Sequence, residues 1–305
     1  MGTFFRILLT VFNKFRSHNS STLFDLIFKR KTGQPLLSVS NHQSVLDDPG
    51  LWGALLPYWM IRPDVFRWNI CTEDVFFSLP FLTTRMFGAG NVMPLDRSGS
   101  LEQPMFRKFY EKLAAGKWCH IFPEGKIFQD WRFDDEQPKL GPFKPGIGKL
   151  IAHLPQGVDP IIVRSKLKML SICKQTPLNA CNFHNINSTI CYYIDSYLLQ
   201  VPIYHTGMDR IVPEFQLKKG SKKRSRPISK WPGLGKEVNC YVGKPFSLKG
   251  KVNEFRKEHP HALDSWKSSP ESIDFYIELT NEIKKKVLEL EDQVRKGVID
   301  GEEEL

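Results

Sequence analysis

Two rhythms of apolar and polar positions alternate along the chain. "PLLSVS", Pro35 to Ser40, is a short apolar run of strand character. Behind it Asp48 and Pro49 suit the N-cap and first position of a helix that carries Leu51, Trp52, Leu55 and Leu56. The order strand, turn, helix then recurs. "GNVMPLDRSG" predicts a strand ending at Arg97, and "MFRKFYEKLAAG" an amphipathic helix closed by Gly116. "KWCHIF" predicts a strand running into "PEGK", and "GIGKLIAHL" a helix leading to "VDPIIV". Upstream, a helix is expected from Leu23 to about Lys31, with Thr22 and Asp25 as a capping box and Gly33 as its stop. Near the end "CYVGKPFSL" predicts a late strand. Ser269 and Pro270 open a long helix with Ile273, Ile277, Ile283, Val287, Leu290 and Val294 on one face. Strands alternating with helices predict an α/β domain: a mixed, mostly parallel central sheet flanked by helices, with functional groups on loops beyond the strand ends.

The rhythm breaks from Arg164 to Gln200, which hold half of the six cysteines and no sustained period. This stretch separates "DPIIV" from "VPIYHTGM", which joined directly would make one unbroken buried strand. Two origins stay open for it. Val163 to Gln200 can be translated from a retained intron, since Val-Arg is encoded by a donor sequence GTAAGA and Gln by an acceptor CAG; or it is a genuine insertion, although so long a structureless loop is unusual in a compact domain. The expected organisation is therefore an N-terminal anchor or helix over 1–33, a main domain over 34–250 with an atypical insertion at 164–200 and a basic loop at 218–230, and a helical C-terminal region with an acidic tail over 251–305.

Charge narrows the partners. Lys and Arg number 43 against 33 Asp and Glu, a formal +10 that favours anionic partners. Much of it sits in "KKGSKKRSRPISK", where Lys218, Lys219, Lys222, Lys223, Arg224 and Arg226 form a solvated loop suited to anionic lipid or, alternatively, to nuclear-import-like recognition. No apolar run reaches the roughly 18 to 20 residues that span a bilayer. "MGTFFRILLTVFNKFR" combines basic residues and aromatics without an acid, which fits an interfacial anchor or an ordinary first helix. Trp52 and Trp59, with Arg62 and Arg67 nearby, suit the lipid head-group boundary, although a core helix and loop would have the same composition. The cysteines have no CxxC pairing and no clustering with His, so neither a disulfide framework nor a metal site is indicated.

Candidate chemistry centres on "SNHQSVLDDPG". A neutral imidazole removes a proton from a hydroxyl when a carboxylate holds its other nitrogen, and His42 with Asp47 has the right groups. Within a continuous helix their spacing would turn them about 140° apart, so pairing requires a turn or helix start between them. The alternative is that Asp47 only caps, since Ser44 with Asp47 is itself a capping-box pattern. "IFPEGK" places Glu124, Gly125 and Lys126 on a turn after an apolar strand. There Glu124 can orient a polyol hydroxyl, Lys126 can face a phosphate, and Gly125 permits close backbone approach. Arg97 is either a surface guanidinium or a phosphate ligand.

Taken in order, "NHQSVLDD", "GNVMPLDR", "FPEGK" and "VDPIIV" resemble the glycerolipid acyltransferase family, and "SNHQSVLDDPGLWG", "HIFPEGK", "GIGKLIA" and "PIYHTGM" resemble its tafazzin branch. The resemblance covers most of Pro35 to Phe246 but not Arg164 to Gln200. It implies an α/β acyltransferase lying on a membrane, with His42 as general base and Asp47 as its orienting partner. Arg97 would hold the acceptor phosphate, Phe122, Pro123, Glu124 and Gly125 would shape the acceptor site, and Pro160 would mark a fourth motif. It also implies transfer of acyl chains between phospholipids and lysophospholipids such as phosphatidylcholine and cardiolipin, at mitochondrial membranes facing the intermembrane space. Neither metal, other cofactor nor nucleic acid is expected. An acyl-CoA-dependent lysophosphatidate acyltransferase shares all four motifs. A catalytically inactive membrane scaffold or mis-spliced isoform is the alternative from another class.

Overall fold

A computed structural model of the chain describes residues 2–60, 62, 65–73, 90–96, 98–129, 140–154, 161–162, 191–192, 198–213, 231–298 and 302–303. In chain order the elements are α1 (Gly2–Thr10), β1 (Lys14–His18), α2 (Ser20–Phe28), β2 (Leu36–Ser40), α3 (Asp47–Leu55), β3 (Asn69–Thr72), β4 (Val92–Leu95), α4 (Pro104–Ala114), β5 (Trp118–Ile121), α5 (Gly146–His153), β6 (Ile161–Ile162), β7 (Cys191–Tyr192), β8 (Leu199–Thr206), α6 (Met208–Ile211), β9 (Glu237–Val242), α7 (Lys249–Glu258), α8 (Pro270–Arg295) and β10 (Glu302–Glu303). The central sheet runs β10-β1-β9-β8-β2-β5. β2 lies parallel to both β5 and β8, and β1 parallel to β9, while β8 with β9 and β1 with β10 are antiparallel. The sheet is thus mixed, with helices on both faces.

β2 explains why both faces are covered, because every one of its five residues is buried. Leu37 and Val39 point into a core shared with α4, α5 and α8, whereas Leu36 joins a second core with α1, α2 and α3. A strand buried on both sides reads as a continuous apolar run, as "PLLSVS" does. The polar exceptions, Ser38 and Ser40, share the face of Leu36. On the parallel neighbour β5 the same face carries Trp118 and His120. Trp118 Nε1 donates to Ser38 Oγ (2.9 Å), and His120 meets Ser38 Oγ through Nδ1 (2.9 Å) and Ser40 Oγ through Nε2 (3.3 Å). This buried polar seam runs under α3 toward the carboxyl ends of β2 and β5.

Several boundaries differ from the sequence reading for identifiable reasons. α2 starts at Ser20 rather than Leu23, after Asn19 in the left-handed region (φ 57°) and without a side-chain cap, so Thr22 lies inside the helix. The stretch read as an N-terminal anchor contains β1, which pairs with β9, and α1, which packs on α3 and buries Leu8 and Leu9. β1 has no apolar signal because Lys14 and Arg16 occupy its exposed end and only Ser17 and His18 are buried. α8 begins as expected, with Ser269 as N-cap in a reciprocal capping box with Ser272. Its buried row is Tyr276, Leu279, Thr280, Ile283, Val287 and Leu290, leaving Ile273 and Ile277 exposed.

The insertion meets the sheet in a specific way. β8 begins at Leu199, so the last residues of the 164–200 stretch complete the strand that "VPIYHT" continues. Leu199 pairs with Leu36 and Gln200 with Leu37, Leu198 is buried in the core, and Gln200 exchanges backbone hydrogen bonds with Phe246 (3.0 and 2.9 Å). Ile161–Ile162 pairs instead with Cys191–Tyr192 in a two-stranded sheet of its own. Residues 163–190 and 193–197 lie outside the described residues. If Arg164 to Gln200 were absent, Val163 would take the place of Gln200, whose side-chain Oε1 is buried with no partner among the described residues. Gln200→Val should therefore raise stability by about 1 kcal/mol, the net gain from removing a buried unsatisfied acceptor. A higher urea midpoint at unchanged m checks this; a lower midpoint contradicts it.

Candidate active site

β2 ends at Ser40, and the six residues Asn41 to Leu46 turn the chain into α3. That turn closes the spacing between His42 and Asp47. Asp47 lies in the first turn of α3 with its N–H on the Ser44 carbonyl (3.1 Å), which swings its side chain back over the loop. Asp47 Oδ2 accepts the backbone N–H groups of Gln43 (2.6 Å) and Ser44 (2.9 Å) and the His42 Nδ1 proton (2.8 Å). Turn stabilisation and imidazole binding are therefore done by one oxygen, and the two readings of Asp47 coincide. Asp47 is fully buried, while the His42 side chain is 21% exposed. With Nδ1–H directed at a carboxylate, the lone pair of a neutral His42 ring lies on Nε2, the atom that can take a proton.

The turn after β5 completes the setting. Phe122 continues the face of Trp118 and His120 and stacks on the His42 ring (centroids 4.4 Å, interplanar angle 25°), with its edge relation to His120 at 4.6 Å. The Phe128 N–H donates to the His42 carbonyl (2.7 Å). Glu124, expected to reach a substrate hydroxyl, is otherwise occupied. Its Oε1 accepts the His42 backbone N–H (2.8 Å) and its Oε2 the Gly141 N–H (2.9 Å). Glu124 thus fixes the backbone of His42 against two loops, a positioning role. Gly125 has φ +62°, and a Cβ there would lie 2.8 Å from Lys144 Cε, next to the Lys144 N–H bond to the Pro123 carbonyl (2.8 Å). Lys126 is exposed, with Nζ 4.8 Å from the centre of the Phe128 ring.

The sequence assigns four neighbours of the pair no part in its chemistry. His120 is wholly buried; desolvation, then the charges of Arg67, His205 and His42, hold its imidazole well below the usual histidine range, so it is neutral. Asn41 and His205 clasp one another across the ends of β2 and β8. Arg67 reaches Asp48 through Nε (3.0 Å) and Nη2 and donates Nη1 to the Gly90 carbonyl (2.8 Å). Asn41, His120 and His205 fall within the motif stretches without a role of their own, and Arg67 was expected at the lipid boundary.

A family model described as Acyltransferase matches residues 16–164, which contain His42, Asp47 and the turn after β5. Over that range the chain is similar to the acyltransferase family. N-acylphosphatidylethanolamine synthase of Arabidopsis thaliana is 36% identical over 163 residues, covering 53% of this chain and 54% of that protein. Tafazzin of Drosophila melanogaster is 32% identical over 212 residues (66% of this chain, 53% of that protein), and Taffazin of Dictyostelium discoideum 33% over 132 residues (43% and 44%). The chain spans about half the length of these curated relatives.

Within and around the matched range, several expected roles move. Asp48 does not cap α3, whose N-cap is Leu46; its carboxylate takes Arg67 and the Trp52 indole N–H (3.1 Å). Trp52 is 1% exposed and packs edge-on to Trp118 and His120, so it is a core residue and not a membrane contact. Arg67 is likewise buried, whereas Trp59 is 63% exposed. Arg97, Pro160 and the basic loop from Lys218 to Arg226 lie outside the described residues. Among the described residues no group of three His, Cys, Asp or Glu side chains could hold a metal ion.

Glu124 carries a pH signature. Burial pushes its carboxyl up to about 7, against the N–H donors of His42 and Gly141, which pull it down. A carboxyl raised in the folded state contributes stability that is present below its ordinary value of 4.5 and is lost as pH rises through about 7. Glu124→Gln removes that titration. Relative to wild type, the variant should gain on the order of 3 kcal/mol in stability between about pH 4 and pH 8. Urea denaturation at both pH values checks this; a pH-independent difference contradicts it.

Proposed function

We propose that the protein is a membrane-associated phospholipid–lysophospholipid transacylase of tafazzin type. It would move acyl chains among phospholipids such as cardiolipin and phosphatidylcholine without acyl-CoA or metal, at mitochondrial membranes facing the intermembrane space. The observation that carries this reading is the 2.8 Å contact between His42 Nδ1 and Asp47 Oδ2 inside the range similar to the acyltransferase family. His42 Nε2 takes the proton of the lysolipid hydroxyl as that oxygen attacks the ester carbonyl of the donor. The resulting tetrahedral species collapses as the donor C–O bond breaks, and the imidazolium returns its proton to the departing lysolipid oxygen. Asp47 stabilises the imidazolium throughout.

Membrane association rests on α1. Its inner face buries Leu8 and Leu9, yet Phe4, Ile7 and Val11 form a second, exposed apolar row at helical spacing. Exposed Tyr58 and Trp59 adjoin it: Arg6 donates to the Leu56 carbonyl (3.0 Å) and lies 5.0 Å from the centre of the Tyr58 ring, and Trp59 meets Phe28 at 5.1 Å. The charged side chain placed at this patch is Arg6, which suits an anionic bilayer surface. The described residues contain no helix long and apolar enough to cross a membrane. Lys218, Lys219, Lys222, Lys223, Arg224 and Arg226 would add attraction to anionic lipid.

The 36% identity to N-acylphosphatidylethanolamine synthase favours a second reading, in which the acceptor is the amine of phosphatidylethanolamine. Vesicles holding labelled phosphatidylcholine, lysocardiolipin and phosphatidylethanolamine, assayed with and without acyl-CoA, separate the cases. Label moving to lysocardiolipin without acyl-CoA is expected. An amide product would favour the second reading, and dependence on acyl-CoA would favour a lysophosphatidate-type enzyme.

A further inference from the structure

The Asp47 carboxylate stands between two imidazoles, of which only His42 belongs to the expected motif. His205, the seventh residue of β8, is wholly buried, and its Nε2 lies 3.7 Å from Asp47 Oδ2, the oxygen that His42 holds. The same Nε2 is 2.9 Å from the backbone carbonyl of Asn41. A carbonyl only accepts, so His205 Nε2 carries the proton and donates to the peptide from which His42 hangs. The Asn41 side chain answers across the same gap: its Nδ2 donates to the His205 carbonyl (2.8 Å), and its Oδ1 accepts the His205 N–H (2.9 Å). The β2–β8 ladder ends at Ser40 and Ile203. The Asn41 amide therefore extends the pairing by side chain where the main chain turns away toward His42.

We propose that His205, together with Asn41, is a positioning residue for the His42–Asp47 pair: it fixes the Asn41–His42 peptide and packs its ring beside the carboxylate that orients the base. His205 lies beyond residue 164, outside the matched acyltransferase range. The other titratable or charged groups facing the pair are Glu124 on the turn after β5, His120 on β5, and the Arg67–Asp48 ion pair beside α3. None of them donates to the Asn41 carbonyl; the Ser40 hydroxyl does so at 3.2 Å, so the His205 bond, at 2.9 Å, is the shorter of two restraints on it. A base displaced by about 1 Å can cost about a hundredfold in rate.

The test compares His205→Leu, which removes the donor at similar volume, with His205→Gln, which keeps a side-chain N–H, and with Asn41→Ala. The activity arm, kcat and KM for acyl transfer in phosphatidylcholine and lysocardiolipin vesicles, rests on the transacylase reading. The second arm does not: the His42 Nδ1–H resonance in nitrogen-15-labelled full-length protein. His205→Leu and Asn41→Ala should each lower kcat at least tenfold with KM within twofold, and should lose the His42 Nδ1–H signal to solvent exchange. His205→Gln should restore the signal and at least a third of wild-type kcat. An unchanged His42 signal in both His205→Leu and Asn41→Ala overturns the proposal whatever the substrate. If His205→Leu yields no folded protein, Asn41→Ala decides alone, and an unaltered signal or kcat in it overturns the proposal.

Discussion

Asp47→Asn should reduce acyl transfer by roughly four orders of magnitude, with little change in KM, by analogy with removal of the carboxylate that orients a catalytic histidine in serine proteases. The physical reason is local to one oxygen. Asp47 Oδ2 accepts from Gln43 N–H, Ser44 N–H and His42 Nδ1. An amide in its place can still present an oxygen to the two backbone donors, so the turn into α3 survives. The imidazole then meets an uncharged partner, the imidazolium loses its counter-charge, and the ring can adopt the tautomer whose Nε2 is already protonated. Initial rates in vesicles, with thermal unfolding as a control, check this. A variant with wild-type rate would remove Asp47 from the chemistry, and a collapsed melting temperature would show that the turn, not the base, depends on it.

Gly148→Ala should lower stability by about 3 kcal/mol, the upper part of the range for overpacking a close contact. On an exposed helix the same change stabilises by up to about 1 kcal/mol, because glycine has more backbone freedom to lose. The sign reverses here because α5 crosses α8 with almost no gap: a Cβ on Gly148 would sit 2.0 Å from the Tyr276 carbonyl oxygen and 2.8 Å from Thr280 Oγ1. Thr280 Oγ1, held within α8 by donating to the Tyr276 carbonyl (2.7 Å), accepts the Gly148 N–H (3.2 Å), so the contact cannot open without losing that inter-helix bond. The segment just before α5 supplies the Gly141 N–H held by Glu124, which links this helix crossing to the site. Guanidinium denaturation measures the loss; a midpoint equal to wild type would mean that the helices separate at no cost.

What the chain discloses locally and what it does not divide along physical lines. The strand, turn and helix around His42 are legible because apolar period, helix start and acid/base residues all fall within Pro35 to Leu56. The same is true of "IFPEGK", where a glycine at positive φ marks the turn. Asp48 was misassigned because its partner Arg67 lies nineteen residues away on a segment with no regular pattern, so a capping role was the only local account. Trp52 shows a different limit: an indole suits a lipid boundary or a core equally well, and its place is set by Trp118 and His120 on another strand. Glu124 has partners that the local sequence does not disclose, since a carboxylate's two acceptor oxygens can serve backbone N–H groups as readily as a substrate. His205 was hidden for the plainest reason, because its bonds to Asn41 join residues 164 positions apart. At the insertion, Leu198, Leu199 and Gln200 fill the positions that "IIV" was expected to take.

The central claim is that His42 acts as the base in moving an acyl chain from one phospholipid to another. It is tested most directly by the initial rate of label transfer from phosphatidylcholine to lysocardiolipin in vesicles free of acyl-CoA, measured for wild type and His42→Ala at equal vesicle binding. Wild type should transfer label and His42→Ala should be slower by at least about a thousandfold, in keeping with loss of both base and carboxylate pairing. Transfer by His42→Ala within tenfold of wild type would contradict the account.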